Sequence, residues 1–401
     1  MNQETEYSGL FNYGNFCYVN SVIQSLFLSP SIINGLVSSS EHKKDIELLE
    51  LLDKINTIED LESDECKKHN MSIEKIKFLK IYFNFKQIII KLMNKNESVV
   101  EPKNFIIECH KVRQDELFSG VQNDAQEFLH FLLDKINEAK GIITKLDTQF
   151  TTLNECKTLE DKLIFISEKN LQEHYTKNNY SWVVEKLFYQ IITVMKCNNC
   201  PHHSLKCEPY RELALEIPSN NQQQILSIYD CLDNFFGKEL FEKGEEWICE
   251  KCTNKEANFK QYRIIDFPDT LIIFFKRYKS LDMTGTRIKK INNKIEFPFI
   301  LNMNKYKLLN SDINCKYNLY SVINQIGTFN SGHYFTYSRN LNSETDNNWY
   351  EFNDTNVSKI ADDEIISSNA YILFYQKQTK FCNLNRFSIN IYAKNIIFNN
   401  F

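Results

Sequence analysis

GLFNYGNFCYVNSVIQSLF, residues Gly9 to Phe27, is the stretch on which the reading turns, because in it a loop gives way to a helix at a cysteine. Gly9, Asn12, Gly14 and Asn15 supply turn chemistry before Cys17. After it Val19, Val22, Ile23, Leu26 and Phe27 recur at helical spacing, the stripe of a helix with one buried face, and Pro30 marks where that helix should stop. Cys17 therefore falls at or beside a helix N-terminus, where the macrodipole and unpaired N–H groups favour the thiolate, the nucleophilic form of cysteine. Position alone leaves an ordinary small buried cysteine equally open.

Working outward, the chain has 401 residues, enough for one large or two ordinary domains, and its apolar and charged fractions are those of a globular protein. The net charge of −5 provides no global field for nucleic acid or an anionic membrane. The polar, acidic start MNQETEYSG has no apolar signal core, and no apolar run is long enough to span a bilayer, so the expected location is cytoplasmic or nuclear. In such a compartment twelve cysteines are thiols, metal ligands or a nucleophile rather than a disulfide framework.

To about residue 185 the pattern is helical, including HKKDIELLELLDKINTIEDLE, MSIEKIKFLKIYFNFKQIIIKLMNK and QNDAQEFLHFLLDKI. In the last, Asp124 followed by Glu127 predicts a capping box. From about Lys186 short β-type runs take over: LIIFFKRY (271–278), YNLYSVINQIG (317–327), GHYFTYSRN (332–340) and AYILFYQ (370–376). Helices first and strands afterwards predict an α+β fold.

Within the strand half, Cys197 and Cys200 form one C-x-x-C, and Cys249 and Cys252 form another. Two such turns can close a tetrahedral four-sulfur site suited to a single structural Zn²⁺, with no position left for water. His202, His203 and Cys207 lie close enough to substitute for one ligand. A nucleophilic cysteine also needs a histidine and a polar group to orient it. His333 opens a strand after Ser331 and Gly332, and NNWYEFNDTNV ends an aromatic strand in Asn353 and Asp354. Two adjacent antiparallel strands would set one of these side chains beside the imidazole Nδ1, although "ND" is also a common turn dipeptide.

Taken in order, these segments resemble the ubiquitin-specific proteases, papain-like cysteine peptidases. GLFNYGNFCYVNSVIQSL is similar to the cysteine box, GVQNDAQEFLHFLLD to the internal glutamine–aspartate box, and GHYFTYSRN with WYEFNDTNV and AYILFYQ to the histidine box and closing strand. The resemblance implies a papain-like fold with a helical thumb (about 9–185), zinc-ribbon fingers (about 186–265) and a β-rich palm (about 266–376). Together these make a catalytic domain over 9–376, between a short extension (1–8) and an unassigned tail (377–401). It implies a thiol-dependent deubiquitinase, acting as a monomer on ubiquitin and ubiquitinated proteins, with Cys17 as nucleophile, His333 as general base and then acid, and Asn353 as third member, Asp354 being the fallback. It further implies Asn12 as oxyanion donor, and Asp124, Gly332 and Tyr334 as residues meeting the ubiquitin tail. The alternatives are a ubiquitin-binding member without turnover, or a protease for another ubiquitin-like modifier. Four departures stand out: Phe16 for threonine, Val19 for methionine, Asn123 for a second glutamine and Gln325 for histidine.

Overall fold

The computed structural model describes residues 7–378 except 114–115, 143–147, 176–179, 201, 219–224, 241–246, 254–256, 283, 285–286, 309–314, 329–330 and 344; the tail from 379 lies outside the described residues. Helices occupy the first part, chiefly Cys17–Phe27, Pro30–Val37, Ser39–Lys54, Ile73–Asn94, Lys103–Val112, Ala125–Lys140, Leu159–Tyr175 and Trp182–Leu187. Apart from the two-residue strands Gly9–Leu10 and Val99–Val100, the strands begin at Tyr189, so the switch in period falls close to where the sequence places it. Pro30 does more than end the preceding helix. It occupies the first turn of the next one, where its missing N–H costs nothing.

An eight-stranded sheet carries the second half, in the order Asn356–Ile360, Trp349–Asn353, Gly332–Ser338, Lys316–Gly327, Ala370–Lys377, Thr270–Lys276, Leu213–Glu216, with Ile300–Asn302 also paired to Lys316–Gly327. Both its faces are covered, which explains why LIIFFK reads as continuous rather than alternating hydrophobicity. Ile272, Ile372 and Phe374 face the helical half, while Leu271, Ile273 and Phe275 join a second core with the helix Ile228–Phe236. That helix, capped by Ser227 and Asp230, was not anticipated in the strand half. A separate four-stranded sheet, His203–Tyr210, Tyr189–Cys197, Ala257–Ile264 and Lys238–Glu239, carries the cysteine turns at one end.

The helix Cys17–Phe27 corrects the expectation of one buried face, since all of its residues are buried. It lies between the other helices and the strand Gly332–Ser338. Its polar side chains therefore need partners inside the protein. Ser321 donates to Ser25 at 2.9 Å, Ser21 to the Cys17 carbonyl at 2.9 Å, and Gln24 to the Ser8 carbonyl at 3.1 Å, while Thr336 ties the strand to the helix through the Ser21 carbonyl at 3.0 Å.

A second buried polar cluster lies wholly within the helical half. Asp45 accepts hydrogen bonds from Lys86 at 2.5 Å, from Tyr82 at 2.9 Å and from Lys140, and Lys140 also pairs with Glu41 at 3.3 Å.

Candidate active site and metal centre

The loop before Cys17 is built around the Asn12 side chain. Its Oδ1 accepts the N–H groups of Gly14 and Phe16, both at 3.1 Å, which closes the turn and fixes the direction of Nδ2. Gly9 is required by close approach: a Cβ there would stand 2.4 Å from the Thr355 carbonyl oxygen. Phe16 occupies the cap position, and no side chain caps the helix, so the N-terminal field acts on Cys17 at the first helical position. The Phe16 ring turns into the core beside Tyr18, with centroids 6.0 Å apart.

His333 and Asn353 arrive on neighbouring strands. The pairing of Thr336 with Phe352 and Tyr337 with Glu351 makes His333 and Asn353 diagonal neighbours on one face of the sheet. His333 Nε2 lies 2.8 Å from Asn353 Oδ1, which corrects the expected contact at Nδ1. Asn353 in turn donates through Nδ2 to Glu351 at 3.2 Å, so its carbonyl end is the one presented to the ring. With Nε2 engaged, Nδ1 is the nitrogen left for the thiol. A hydrogen bond with Cys17 raises the imidazole pKa to about 9, against the lowering effect of burial, with a smaller contribution from Asn353. The site thus favours an imidazolium beside the sulfur.

Asp354 does something different. It sits in the left-handed region (φ 52°), its backbone carbonyl accepts Leu10 N–H at 2.8 Å, and its carboxylate receives Asn12 Nδ2 at 2.9 Å and Asn20 Nδ2 at 2.8 Å. It anchors the loop before Cys17, while Asn353 orients the imidazole. Asn20 was missed because a polar residue inside a helix reads as solvated unless that helix is known to be buried all round.

Asp124 caps the helix Ala125–Lys140 by accepting Gln126 N–H at 2.7 Å, but the capping box is not formed as expected, because the Glu127 carboxylate is taken by Arg113. The Asp124 carboxylate also receives the hydroxyls of Tyr371 at 2.5 Å and Tyr334 at 3.5 Å, and burial raises its pKa. Gly332 donates its N–H to Gln122 Oε1 at 2.6 Å, and a Cβ on it would stand 2.4 Å from both Gln325 Nε2 and the Ile326 carbonyl. Gln325 is thus tucked beneath Gly332, its amide donating to the Ile326 carbonyl at 3.1 Å. Tyr371 and Gln122 carried no signal beyond their strand and loop patterns.

The two C-x-x-C pairs meet. The four sulfurs of Cys197, Cys200, Cys249 and Cys252 all lie within 4.8 Å of one another, with Cys197–Cys252 at 3.6 Å and Cys200–Cys249 at 3.7 Å. Thiolates about 2.3 Å from one tetrahedral ion stand about 3.8 Å apart, so the set fits a metal. Of the three nearby alternatives, His202 and Cys207 do not join it, and the His203 side chain lies outside the described residues. Cys207 donates to Gln190 at 2.9 Å, and His202 contributes its carbonyl to Cys197 N–H at 3.0 Å.

A thiol at a helix start, an imidazole and an amide in sequence are the parts that nucleophilic acyl transfer requires. Residues 8–375 match the family model described as ubiquitin carboxyl-terminal hydrolase, and the chain belongs to that family. A probable ubiquitin carboxyl-terminal hydrolase of Acanthamoeba polyphaga mimivirus is 27% identical over 434 residues, covering 93% of this chain and 91% of its own length. A ubiquitin carboxyl-terminal hydrolase of Drosophila melanogaster is 30% identical over 377 residues, covering 92% of this chain, which spans only 34% of that relative. An Arabidopsis thaliana enzyme of the same description is 28% identical, with 92% and 93% covered. Among solved structures, the SAGA DUB module bound to monoubiquitin has the same fold, with a TM-score of 0.65 at 21% identity over 93% of this chain and 69% of that one.

Proposed function

We propose that the chain is a thiol-dependent deubiquitinase that cleaves the peptide or isopeptide bond after the last glycine of ubiquitin. The observation that carries this reading is His333 set between Asn353, 2.8 Å from its Nε2, and the Cys17 thiol, which raises the imidazole pKa, in a chain that belongs to a ubiquitin hydrolase family. The Cys17 sulfur attacks the glycine carbonyl carbon, and the carbonyl electrons move onto oxygen. As the tetrahedral adduct collapses, the leaving amine takes its proton from His333, and a thioester remains on Cys17. Water, deprotonated by His333, then releases the ubiquitin carboxylate and restores the thiol.

Asn12 Nδ2 has two hydrogens. One is held by Asp354, and the other is available to the developing oxyanion together with the N–H groups at the helix start. Gly332 and Tyr334 line the channel for the terminal glycines, with Gly332 seated directly on Gln325 and the Ile326 carbonyl, and Asp124 fixes the wall through Tyr334 and Tyr371. Cys197, Cys200, Cys249 and Cys252 would hold one structural Zn²⁺, which would fasten the turns of the four-stranded sheet.

The test is incubation with ubiquitin bearing a thiol-reactive C-terminal electrophile. Covalent labelling that disappears in Cys17→Ala is the expected result, and stable ubiquitin binding without labelling would refute an enzyme. Preferential labelling by a different modifier's probe would move the substrate. Elemental analysis should give about one zinc per chain, lost in Cys197→Ser.

A further inference from the structure

The loop that positions Cys17 also carries two aromatic side chains that none of the roles above uses. Phe11 and Tyr13 are 41% and 36% exposed, with ring centroids 4.7 Å apart in an edge-to-face contact. They are held in place from the helical side. Phe11 N–H donates to the Val100 carbonyl at 3.0 Å, and the Tyr13 hydroxyl donates to exposed Glu101 at 2.6 Å. A rigid aromatic pair left facing solvent beside a carboxylate is what a contact surface for aliphatic and basic side chains needs.

Strand order tells which side of the reacting sulfur this ledge flanks. On one side of the His333 strand lie Lys316–Gly327 and Ala370–Lys377, carrying Gln325 and Tyr371, which shape the walls around Gly332, Tyr334 and Asp124. On the other side lie Trp349–Asn353 and Asn356–Ile360, and it is to the turn between these two strands, at Asp354, that Leu10 and Asn12 are bonded. On the deubiquitinase reading, the acyl group, ubiquitin's tail, lies toward the first side and the leaving amine departs toward the second, the side to which the loop bearing Phe11 and Tyr13 is tied through Leu10 and Asn12.

Resting on the deubiquitinase reading, we propose that Phe11, Tyr13 and Glu101 form a docking ledge for the acceptor side of the substrate. The partner is the lysine bearing the isopeptide bond and the residues next to it. The four-methylene stem of that lysine packs on the aromatic pair, and Glu101 favours a basic neighbour.

The experiment compares two ubiquitin substrates with the full chain: one with a small aminocoumarin leaving group, the other joined through an isopeptide bond to the lysine of a short peptide with basic flanks. Phe11→Ser with Tyr13→Ser should lower kcat/KM for the peptide-linked substrate about tenfold, or about 1.4 kcal/mol, while changing the coumarin substrate by less than about twofold. Glu101→Gln should erase the preference for basic over acidic flanks. Equal loss on both substrates, as expected if another segment of the chain or a second copy covers the ledge and it serves the fold, overturns the proposal. So does no loss on either. Retained labelling by the electrophilic ubiquitin probe in the double variant separates these outcomes from failure of the deubiquitinase reading, in which the unaltered chain itself is not labelled.

Discussion

Replacing Asp354 by asparagine tests the division of labour between the two residues that end the aromatic strand. Asparagine tolerates the left-handed backbone at this position and leaves the carbonyl that binds Leu10 in place. It removes the charge and sets an amide N–H₂ against one of the two donors, Asn12 Nδ2 and Asn20 Nδ2, that the carboxylate now receives at 2.9 and 2.8 Å. Each charge-assisted bond is worth about 1.5 to 3 kcal/mol. Asn12 keeps its bonds to the Gly14 and Phe16 N–H groups but loses the charged acceptor that steadies its Nδ2, so the proposed oxyanion donor is less firmly placed, a change worth up to about 10²- to 10³-fold in kcat. Because Asp354 acts through Asn12, Asn12→Ala alone should cost a similar amount, and the double variant little more than either. KM should hold steady. The assay is steady-state hydrolysis of a fluorogenic ubiquitin substrate by the four proteins of the cycle, with thermal melting as a check on folding. Losses that multiply, to about 10⁴-fold or more, would mean that Asp354 serves His333 independently and would refute the reasoning.

Two further perturbations follow from the same geometry. His333 should titrate near pH 9 in the native chain and fall toward the ordinary imidazole value in Cys17→Ala, as followed by NMR of the ring protons; an unchanged value would assign the shift to Asn353 and Asp354 instead. Since its folded-state pKa is raised above the unfolded one, its stabilising contribution is complete below about pH 6.5 and disappears as pH rises through about 9, so Cys17→Ala should flatten stability over that window. Asp45→Ala strands Lys86, whose side chain is only 6% exposed, and leaves Lys140, 3% exposed, with Glu41 alone, so it should lower unfolding free energy by about 3 to 5 kcal/mol in urea titration. Adding Lys86→Met should recover part of the loss, and a single-variant cost below about 1 kcal/mol would show that the cluster relaxes to water.

Much of the site was legible because its parts are local signals. A turn-rich loop ending at Cys17, two C-x-x-C turns and a strand opening on His333 can each be recognised within a few residues. What escaped was what depends on pairing across the fold. The helix after Cys17 carries an apolar stripe, yet Asn20, Ser21, Gln24 and Ser25 are buried as well: Asp354 and Ser321, far away in sequence, bond Asn20 and Ser25, Gln24 reaches the Ser8 carbonyl, and Ser21 turns back on its own helix. The capping box failed because Arg113, two helices' ends away from any local pattern, captures Glu127. Which imidazole nitrogen Asn353 meets depends on strand register and ring rotation, and composition carries neither. The parallel pairing of Gly9–Leu10 with Val99–Val100 spans two residues, too short to leave a period.

The bond between Asn12 and Asp354 joins residues 342 apart, and the strand Ala370–Lys377 enters the sheet between two strands made earlier. At about 5 to 20 residues per second, roughly 20 to 70 seconds of synthesis separate the appearance of Cys17 from that of Asp354. Until then the nascent chain holds a cysteine with neither its imidazole nor its anchored amide. On the proposed mechanism, hydrolytic competence therefore waits until the aromatic strand and its turn have been made, and a chain truncated before that strand carries Cys17 without the groups that would orient and assist it.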